Sequence, residues 1–333
     1  MQGRENIEIE IIRLLKKEAG SFVSGQALSG VLGISRTAVW KHIKGLRRMG
    51  YHIGASPSKG YSLRDGAEET PFNAVEISSG LTTEFIGRKI SFHAALASTN
   101  LKAFELGRAG EPEGTSVIAD AQTGGKGRIG RRWVSPPSVN LYTSIILRPR
   151  ISPASAHMLT LMAGLSVAEA IGLFLGRRPV VKWPNDVLIG SKKAAGILME
   201  MDAEPDRVNF VVAGIGVNIN MAPEDMPDEI RNIATSLKEK TGADISRAEF
   251  TMALYASFEK WYKIFKRDGF PPIINEWKSY FGYEGKLVRV VNFNRTIEGI
   301  CAGIGSDGAL LVRLPTGALE RVISGDVLPV KAV

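Results

Sequence analysis

Ile7, Ile11, Leu14 and Leu15 recur at i, i+4, i+7 and i+8, which predicts an amphipathic helix over residues 6–18. Ser24 can cap a second, short helix that holds Ala27, Leu28, Val31 and Leu32. Gly33 makes the turn, and Ser35 can cap a third helix with Val39, Ile43 and Leu46 inward. After Gly50, YHIGASPSKGYSL reads as strand, Ser/Pro/Gly turn and strand, with Lys59 at the tip. Helices around a Gly turn followed by a hairpin predict a winged helix-turn-helix, whose recognition helix lies in the major groove of DNA.

Residues 64–73, RDGAEETPFN, are polar and aperiodic and read as a linker. Beyond them the texture changes to strand-like apolar runs at 89–96, 115–121, 141–147, 179–183, 195–201 and 208–217, with helical patterns at 153–175 and 246–267. This alternation predicts a mixed-sheet α/β or α+β domain. From Glu284 only short strand patterns with Gly or Asn turns remain, which predicts a small SH3-like β-barrel. The expected domains are therefore 1–65, 66–283 and 284–333. A chain of 333 residues at about 150 per domain is consistent with two or three.

Composition narrows the function classes. With 44% hydrophobic and 23% charged residues the chain is neither disordered nor fibrous. One cysteine, Cys301, excludes an intrachain disulfide framework and a Cys-rich zinc site. The four histidines have no metal spacing, and no direct metal ligand is assigned. Charges interrupt the apolar N-terminal stretch, so it is neither a signal peptide nor an anchor. No run approaches the roughly 18 uninterrupted apolar residues of a spanning helix. A cytoplasmic protein without a membrane partner is expected. The net charge of +8 is concentrated in residues 1–65, with 11 Lys and Arg against 5 Asp and Glu. Seven basic residues and no acidic one lie between Ile34 and Arg64. Phosphate contacts need such cations, and Ser35, Arg36, Thr37, Lys41, Lys44 and Lys59 are the candidate DNA contacts, with Arg47 also expected on the outer side.

The densest chemical signal is Gln122–Trp133, QTGGKGRIGRRW. Gly125, Gly127 and Gly130 satisfy GxGxxG, but Pro136 and Pro137 follow and no Asp or Glu occurs from 131 to 168, which excludes a dinucleotide fingerprint. What remains is a cationic glycine loop suited to a phosphate or carboxylate. Lys182-Trp183-Pro184-Asn185-Asp186 is the second signal: a rigid turn presenting an amide and a carboxylate, either a ligand site or an Asx turn in a surface hairpin. VLIGSKKAAGIL reads as a hairpin turning at Gly190, with Lys193 opening its second strand. In AGIGVNIN, small residues allow close approach and Asn218 supplies an amide. In ASTN, Ser98 and Thr99 either bind a polar headgroup or cap a helix.

In this order, ASTN, QTGGKGRIGRRWVSP, KWPND with K-x-AGIL, and GIGVN resemble the characteristic blocks of the biotin–protein ligases. The match extends over almost the whole chain, in the architecture of bifunctional ligase/repressors. The resemblance implies an α+β protein with an N-terminal winged helix, a class II synthetase-like central domain and the C-terminal β-module. It implies biotin, ATP and Mg²⁺ as ligands, and two steps: biotin and MgATP give biotinyl-5′-AMP, then the acyl group passes to a lysine of the biotin carboxyl carrier protein. It implies Lys193 and Arg128 as the catalytic pair. It places Ser98, Thr99, Asn100, Gln122, Gly125, Lys126, Gly127, Arg128, Lys193 and Gly214 on biotin. Arg131, Trp133, Lys182, Asn185, Asp186 and Asn218 fall on the ATP and adenylate side, Asp186 serving either Mg²⁺ or Lys193. Operator DNA and an adenylate-dependent homodimer are the implied further partners. Lys126 stands where the family loop usually has Arg, which keeps the charge and loses the bidentate fork. A biotin-sensing repressor without ligase activity and a lipoate-type ligase are the competing readings. The intact Arg128 loop and Lys193 weigh against the first, and the KWPND block against the second.

Overall fold

The computed structural model describes residues 2–18, 20–63, 70–292 and 295–329. Most of the expected 64–73 linker lies outside the described residues. The chain forms two compact units, Met1–Thr82 with Ser246–Met252, and Thr83–Ile245 with Ala253–Val333.

In the first unit, helices α1 (Gln2–Lys17), α2 (Gly25–Leu32) and α3 (Arg36–Arg48) precede the hairpin β1 (Ile53–Ser56) and β2 (Gly60–Leu63). The caps form as expected: Ser24 accepts from the Ala27 amide at 3.0 Å and Ser35 from the Ala38 amide at 3.2 Å. Gly33 closes α2 in the left-handed region at φ 64°, which only glycine adopts readily. Ile11, Ile12, Leu15, Leu28, Val39, Ile43 and Leu46 form the core. Of the apolar residues on α2, Leu28 is buried while Ala27 and Val31 stand exposed, because the helix buries only a narrow stripe. Arg47, expected on the outer side, turns its guanidinium back onto the Ile53 carbonyl at 2.7 and 2.9 Å, so it anchors the hairpin. A short helix not anticipated from periodicity, α4 (Ala74–Gly80), is capped by Asn73 and held to α1 by Lys16 on Glu76 at 2.5 Å and Arg13 on the Ser78 carbonyl at 2.9 Å.

The second unit contains β3 (Ile90–Leu96), α5 (Thr99–Arg108), β4 (Ser116–Gln122), β5 (Leu141–Leu147), α6 (His157–Leu175), β6 (Val180–Lys182), β7 (Asp186–Ile189), β8 (Lys192–Ala203) and β9 (Val208–Val217). The strands form one mixed sheet in the order β3-β4-β5-β9-β8-β7-β6, with β3 and β4 parallel and the other pairs antiparallel. Short α7 (Asp228–Arg231) and α8 (Leu237–Thr241) follow, then α9 (Arg247–Asp268), whose first residues count with the first unit, and α10 (Pro271–Lys278). The segment Pro153–Leu175 is long and apolar enough on average to cross a membrane, although polar residues interrupt its apolar run. Its helix packs against the sheet and buries Leu159, Leu161, Met162, Leu165 and Ile171.

Side chains alternate between sheet faces with period two. On β9, Phe210 and Val212 pack against Ala103 of α5. Gly214 and Gly216 continue the same face, and bulk therefore stops where the sheet passes beyond the start of α5. The hollow created there is the candidate site. The last five strands, β10 (Leu287–Asn292), β11 (Arg295–Ile304), β12 (Leu310–Arg313), β13 (Leu319–Val322) and β14 (Asp326–Pro329), form an antiparallel sheet in the order β13-β12-β11-β10-β14. This sheet is the expected C-terminal β-module.

Candidate active site

The cavity over the glycine face is lined by Ser98, Thr99, Asn100, Gln122, Lys126, Gly127, Arg128, Trp133, Asn185, Lys193 and Gly214, among others. Ser98 sits at the N-cap of α5 without making a side-chain cap bond, so its hydroxyl is not used up by the helix. Thr99 gives both its amide (2.8 Å) and its hydroxyl (3.2 Å) to Gln122 Oε1, and Gln122 Nε2 donates to Ser135 at 3.0 Å. Asn100 Nδ2 donates to Glu200 at 2.7 Å, while the Ser144 hydroxyl lies 2.6 Å from Asn100 Oδ1 and 2.8 Å from Thr99 Oγ1. This network fixes the polar end of the cavity. Gly214 is required beneath it, since a Cβ there would stand 2.0 Å from Asn100 Oδ1.

The glycine/arginine segment folds back on itself. Gly127 N–H bonds the Arg131 carbonyl, and Trp133 N–H bonds the Gly125 carbonyl at 2.9 Å. Gly125 has no room for a side chain, because a Cβ would lie 2.5 Å from the Trp133 carbonyl. At the tip Ile129 is left-handed (φ 55°), half exposed and β-branched, a conformation that costs about 1–3 kcal/mol. Arg128 reaches back from this tip. Its Nη1 donates to Asn185 Oδ1 at 2.8 Å and lies 3.3 Å from Asp326 Oδ1. Arg131 Nη2 takes the other Asp326 oxygen at 2.5 Å. Burial lowers the proton affinity of Arg128, Asp326 and Asp186 oppose that shift, and Arg131 reinforces it.

The KWPND segment supplies the opposite wall. Trp183 is buried and its indole N–H donates to the Gly308 carbonyl at 3.0 Å, across a cis Trp183–Pro184 bond. Asn185 uses both ends of its amide, accepting from Arg128 and donating to the Ile197 carbonyl at 2.9 Å. Lys193 Nζ lies 2.6 Å from Asp186 Oδ1. The same ammonium stands 5.3 Å from the centre of the Trp133 ring. Trp133 lies on Gly216 and Gly196, where Cβ atoms would come within 2.5 and 2.9 Å of the indole. Its Nε1–H is buried without a hydrogen-bond partner, a donor left for a ligand.

Five expected site residues, Gly125, Arg131, Lys182, Asp186 and Asn218, are not among the cavity's lining. Lys182 is paired in register with Asp186 on the neighbouring strand, and burial holds its amine below the usual lysine range against the pull of Asp186. Arg131 is largely exposed on Asp326. Asn218 is buried and donates to the Thr235 carbonyl at 3.1 Å, tying β9 to the segment before α8. Conversely, Ser144, Glu200 and Asp326 were not singled out from sequence. Ser144 had a signal, a polar residue inside the fully buried strand LYTSIIL. Asp326 had none, standing 198 residues from the arginine that it meets.

Among the described residues no group of three His, Cys, Asp or Glu side chains is placed to hold a metal ion. Asp186 and Asp326 both face cations, so the donors present do not fit a resident Mg²⁺.

The candidate DNA contacts stand in the first unit. Arg36, Thr37, Lys41 and Lys44 are exposed on α3, Ser35 caps it, and Lys59 is exposed at the hairpin tip, 5.9 Å from the centre of the Phe22 ring.

Residues 95–220 match the biotin/lipoate A/B protein ligase family, 8–62 an HTH domain and 285–328 the biotin protein ligase C-terminal domain. The chain is 41% identical to the bifunctional ligase/repressor BirA of Bacillus subtilis over 97% of its length and 99% of that protein. It is 31% identical to BirA of Escherichia coli, covering 96% of each. The structure resembles biotin protein ligase from Aquifex aeolicus in complex with biotin and ATP, with a TM-score of 0.64 at 29% identity, over 74% of this chain and all of that one. A ligase fold, its C-terminal module and a helix-turn-helix thus occur in one chain in the order that the ligase/repressors have them, and the chain belongs to the biotin protein ligase family as one of its bifunctional members.

Proposed function

We propose that the chain activates biotin with MgATP, transfers it to a lysine of a biotin carboxyl carrier protein, and represses transcription through its winged helix with the adenylate as corepressor, in the cytoplasm. The observation that carries the reading is the meeting in one cavity of a polar end (Ser98, Thr99, Gln122), three cations (Lys126, Arg128, Lys193) and a glycine floor. Ser98, Thr99 and Gln122 would hold the ureido ring, and Gly125, Lys126 and Gly127 would wrap the carboxylate and phosphate. Trp133 would wall the adenylate side and offer it the free indole N–H.

In the first step the biotin carboxylate attacks the α-phosphorus. The new C(O)–O–P bond forms as the bond to pyrophosphate breaks. Two anions must meet, so cations on both sides lower the barrier. Lys193 stands where charge on the transferring carboxyl develops, and Asp186 positions it. Arg128, positioned by Asn185 and Asp326, neutralises the phosphate. Mg²⁺ belongs to the MgATP substrate, where it offsets phosphate charge. In the second step the neutral carrier lysine attacks the acyl carbon, AMP leaves with the bonding pair, and the amine releases its proton. No protein nucleophile is required.

The test is to mix the protein with biotin, MgATP and a purified carrier domain and read the mass of the carrier. A biotin increment is expected. Absence of both adenylate and transfer, with biotin still bound, would favour the sensor-only repressor. Arg128→Ala removes the phosphate's charged partner, so free biotinyl-5′-AMP should appear in the filtrate about tenfold faster, the lower end for a charge-assisted bond. A wild-type release rate in that variant would remove Arg128 from the phosphate. Adenylate binding also promotes a homodimer that matches a two-fold operator, and the same surface of the ligase unit receives unmodified carrier. Sedimentation velocity should give a dimer with biotin and MgATP, and a monomer without them or with excess carrier. An unchanged sedimentation coefficient would sink this regulatory scheme.

A further inference from the structure

Helix α3 turns Val39, Ile43 and Leu46 inward and leaves Thr37, Trp40, Lys41 and Lys44 outward. Trp40 is 50% exposed, three residues after Thr37 and four before Lys44, so it shares their flank of the helix. Lys44 Nζ stands 5.4 Å from the centre of its ring, which orients the indole beside a cation. Phosphate contacts explain the cations and do not explain an indole. The ring lies on the flank that carries the cations, so a nucleic acid held by them would bury apolar surface that is now in water, which is favourable.

The groove that receives a recognition helix limits what that partner can be. Base edges in the major groove offer hydrogen-bonding groups and one apolar group, the C5 methyl of thymine. We propose that Trp40 is a specificity-determining residue that packs on a thymine methyl group in each operator half-site, with Lys44 steadying the ring and contacting the adjacent phosphate. This inference rests on the repressor reading above.

The experiment removes the methyl group rather than the protein's side chain alone. Duplexes with a randomised centre are selected with the full-length protein saturated with biotin and MgATP. The enriched sequence is then resynthesised with deoxyuridine replacing thymidine one position at a time, which keeps the pairing and deletes only the methyl. One position per half-site should bind about fourfold more weakly, the value of one buried methyl group. That sensitivity should vanish in Trp40→Ala and persist in part in Trp40→Phe. Uracil neutral at every position, or equal sensitivity in Trp40→Ala, would overturn the role of Trp40, the latter assigning the contact to Thr37 or another residue. If no sequence is enriched, operator binding itself fails, and a protein partner for this face takes its place.

Discussion

Lys193→Ala slows formation of biotinyl-5′-AMP by about 10²–10³-fold, the usual cost of deleting one group that stabilises developing charge. The position of the ammonium is set by the backbone, because Lys193 N–H donates to the Ile233 carbonyl at 2.8 Å and its own carbonyl accepts from Thr235 at 2.9 Å. Its side chain then has one carboxylate partner at 2.6 Å and one aromatic face. Truncation removes the cation and leaves the Asp186 carboxylate facing the approaching biotin carboxylate, so repulsion adds to the lost attraction. Asp186→Asn keeps the cation and loses only its positioning, and a smaller loss is expected. Lys193→Ala combined with Asp186→Asn should regain the part due to the bare carboxylate and no more. The loss should appear in kcat/KM for biotin and be divided between KM and kcat, since the carboxylate that Lys193 faces is already an anion before it attacks. Single-turnover adenylation within threefold of wild type in Lys193→Ala would remove this lysine from the chemistry.

Much of this site was legible because its residues are clustered in the chain and chemically unusual. Four glycines and four cations within 122–133 have no structural use in a plain loop. The hairpin around Gly190 brings Lys193 opposite Leu188, two residues from Asp186 on the same strand, so a local turn puts the ammonium within reach of that carboxylate. The winged helix was legible for the same reason: its caps at Ser24 and Ser35 are local hydrogen bonds, and its three apolar stripes have helical period. Two things were not legible. Short helices such as α7 and α8 complete too few turns to display a period, and the eight-residue α10 opens on Pro271 and Pro272, which fit its first turn. The second is long-range geometry. The small residues of AGIGVN signalled close approach, but not that Asn100 and Trp133 were what approached. Nothing near Asp326 announced that a strand of the last module would reach the loop arginines.

Gly214→Ala separates biotin recognition from the rest of the reaction. Gly214 lies in β9, opposite Ser144 of β5 and Leu198 of β8, so its backbone is held on both sides and cannot retreat. A methyl group at this position would stand 2.0 Å from Asn100 Oδ1 and 2.8 Å from Nδ2. Asn100 must therefore move. When it moves, it gives up Glu200 and Ser144, and the latter also touches Thr99, so the disturbance passes to the threonine that Gln122 holds. Overpacking costs about 1–3 kcal/mol and each buried polar group left unpaired about 1–3 kcal/mol. A combined loss of about 3 kcal/mol in the folded protein lowers Tm by about 6–12 °C. The displaced Asn100 and Thr99 weaken the biotin Kd separately, by about tenfold for one lost hydrogen bond of about 1.4 kcal/mol. Gly216→Ala is the matched control, two residues along the same face. Its Cβ would strike Trp133 at 2.5 Å, which displaces the ring and leaves the Asn100 network in place. Calorimetry should find biotin binding impaired in Gly214→Ala and largely kept in Gly216→Ala, with ATP binding impaired in the second. If both variants lose biotin equally, the two ends of the cavity are not separate, and the division of the glycine floor between biotin and adenylate fails.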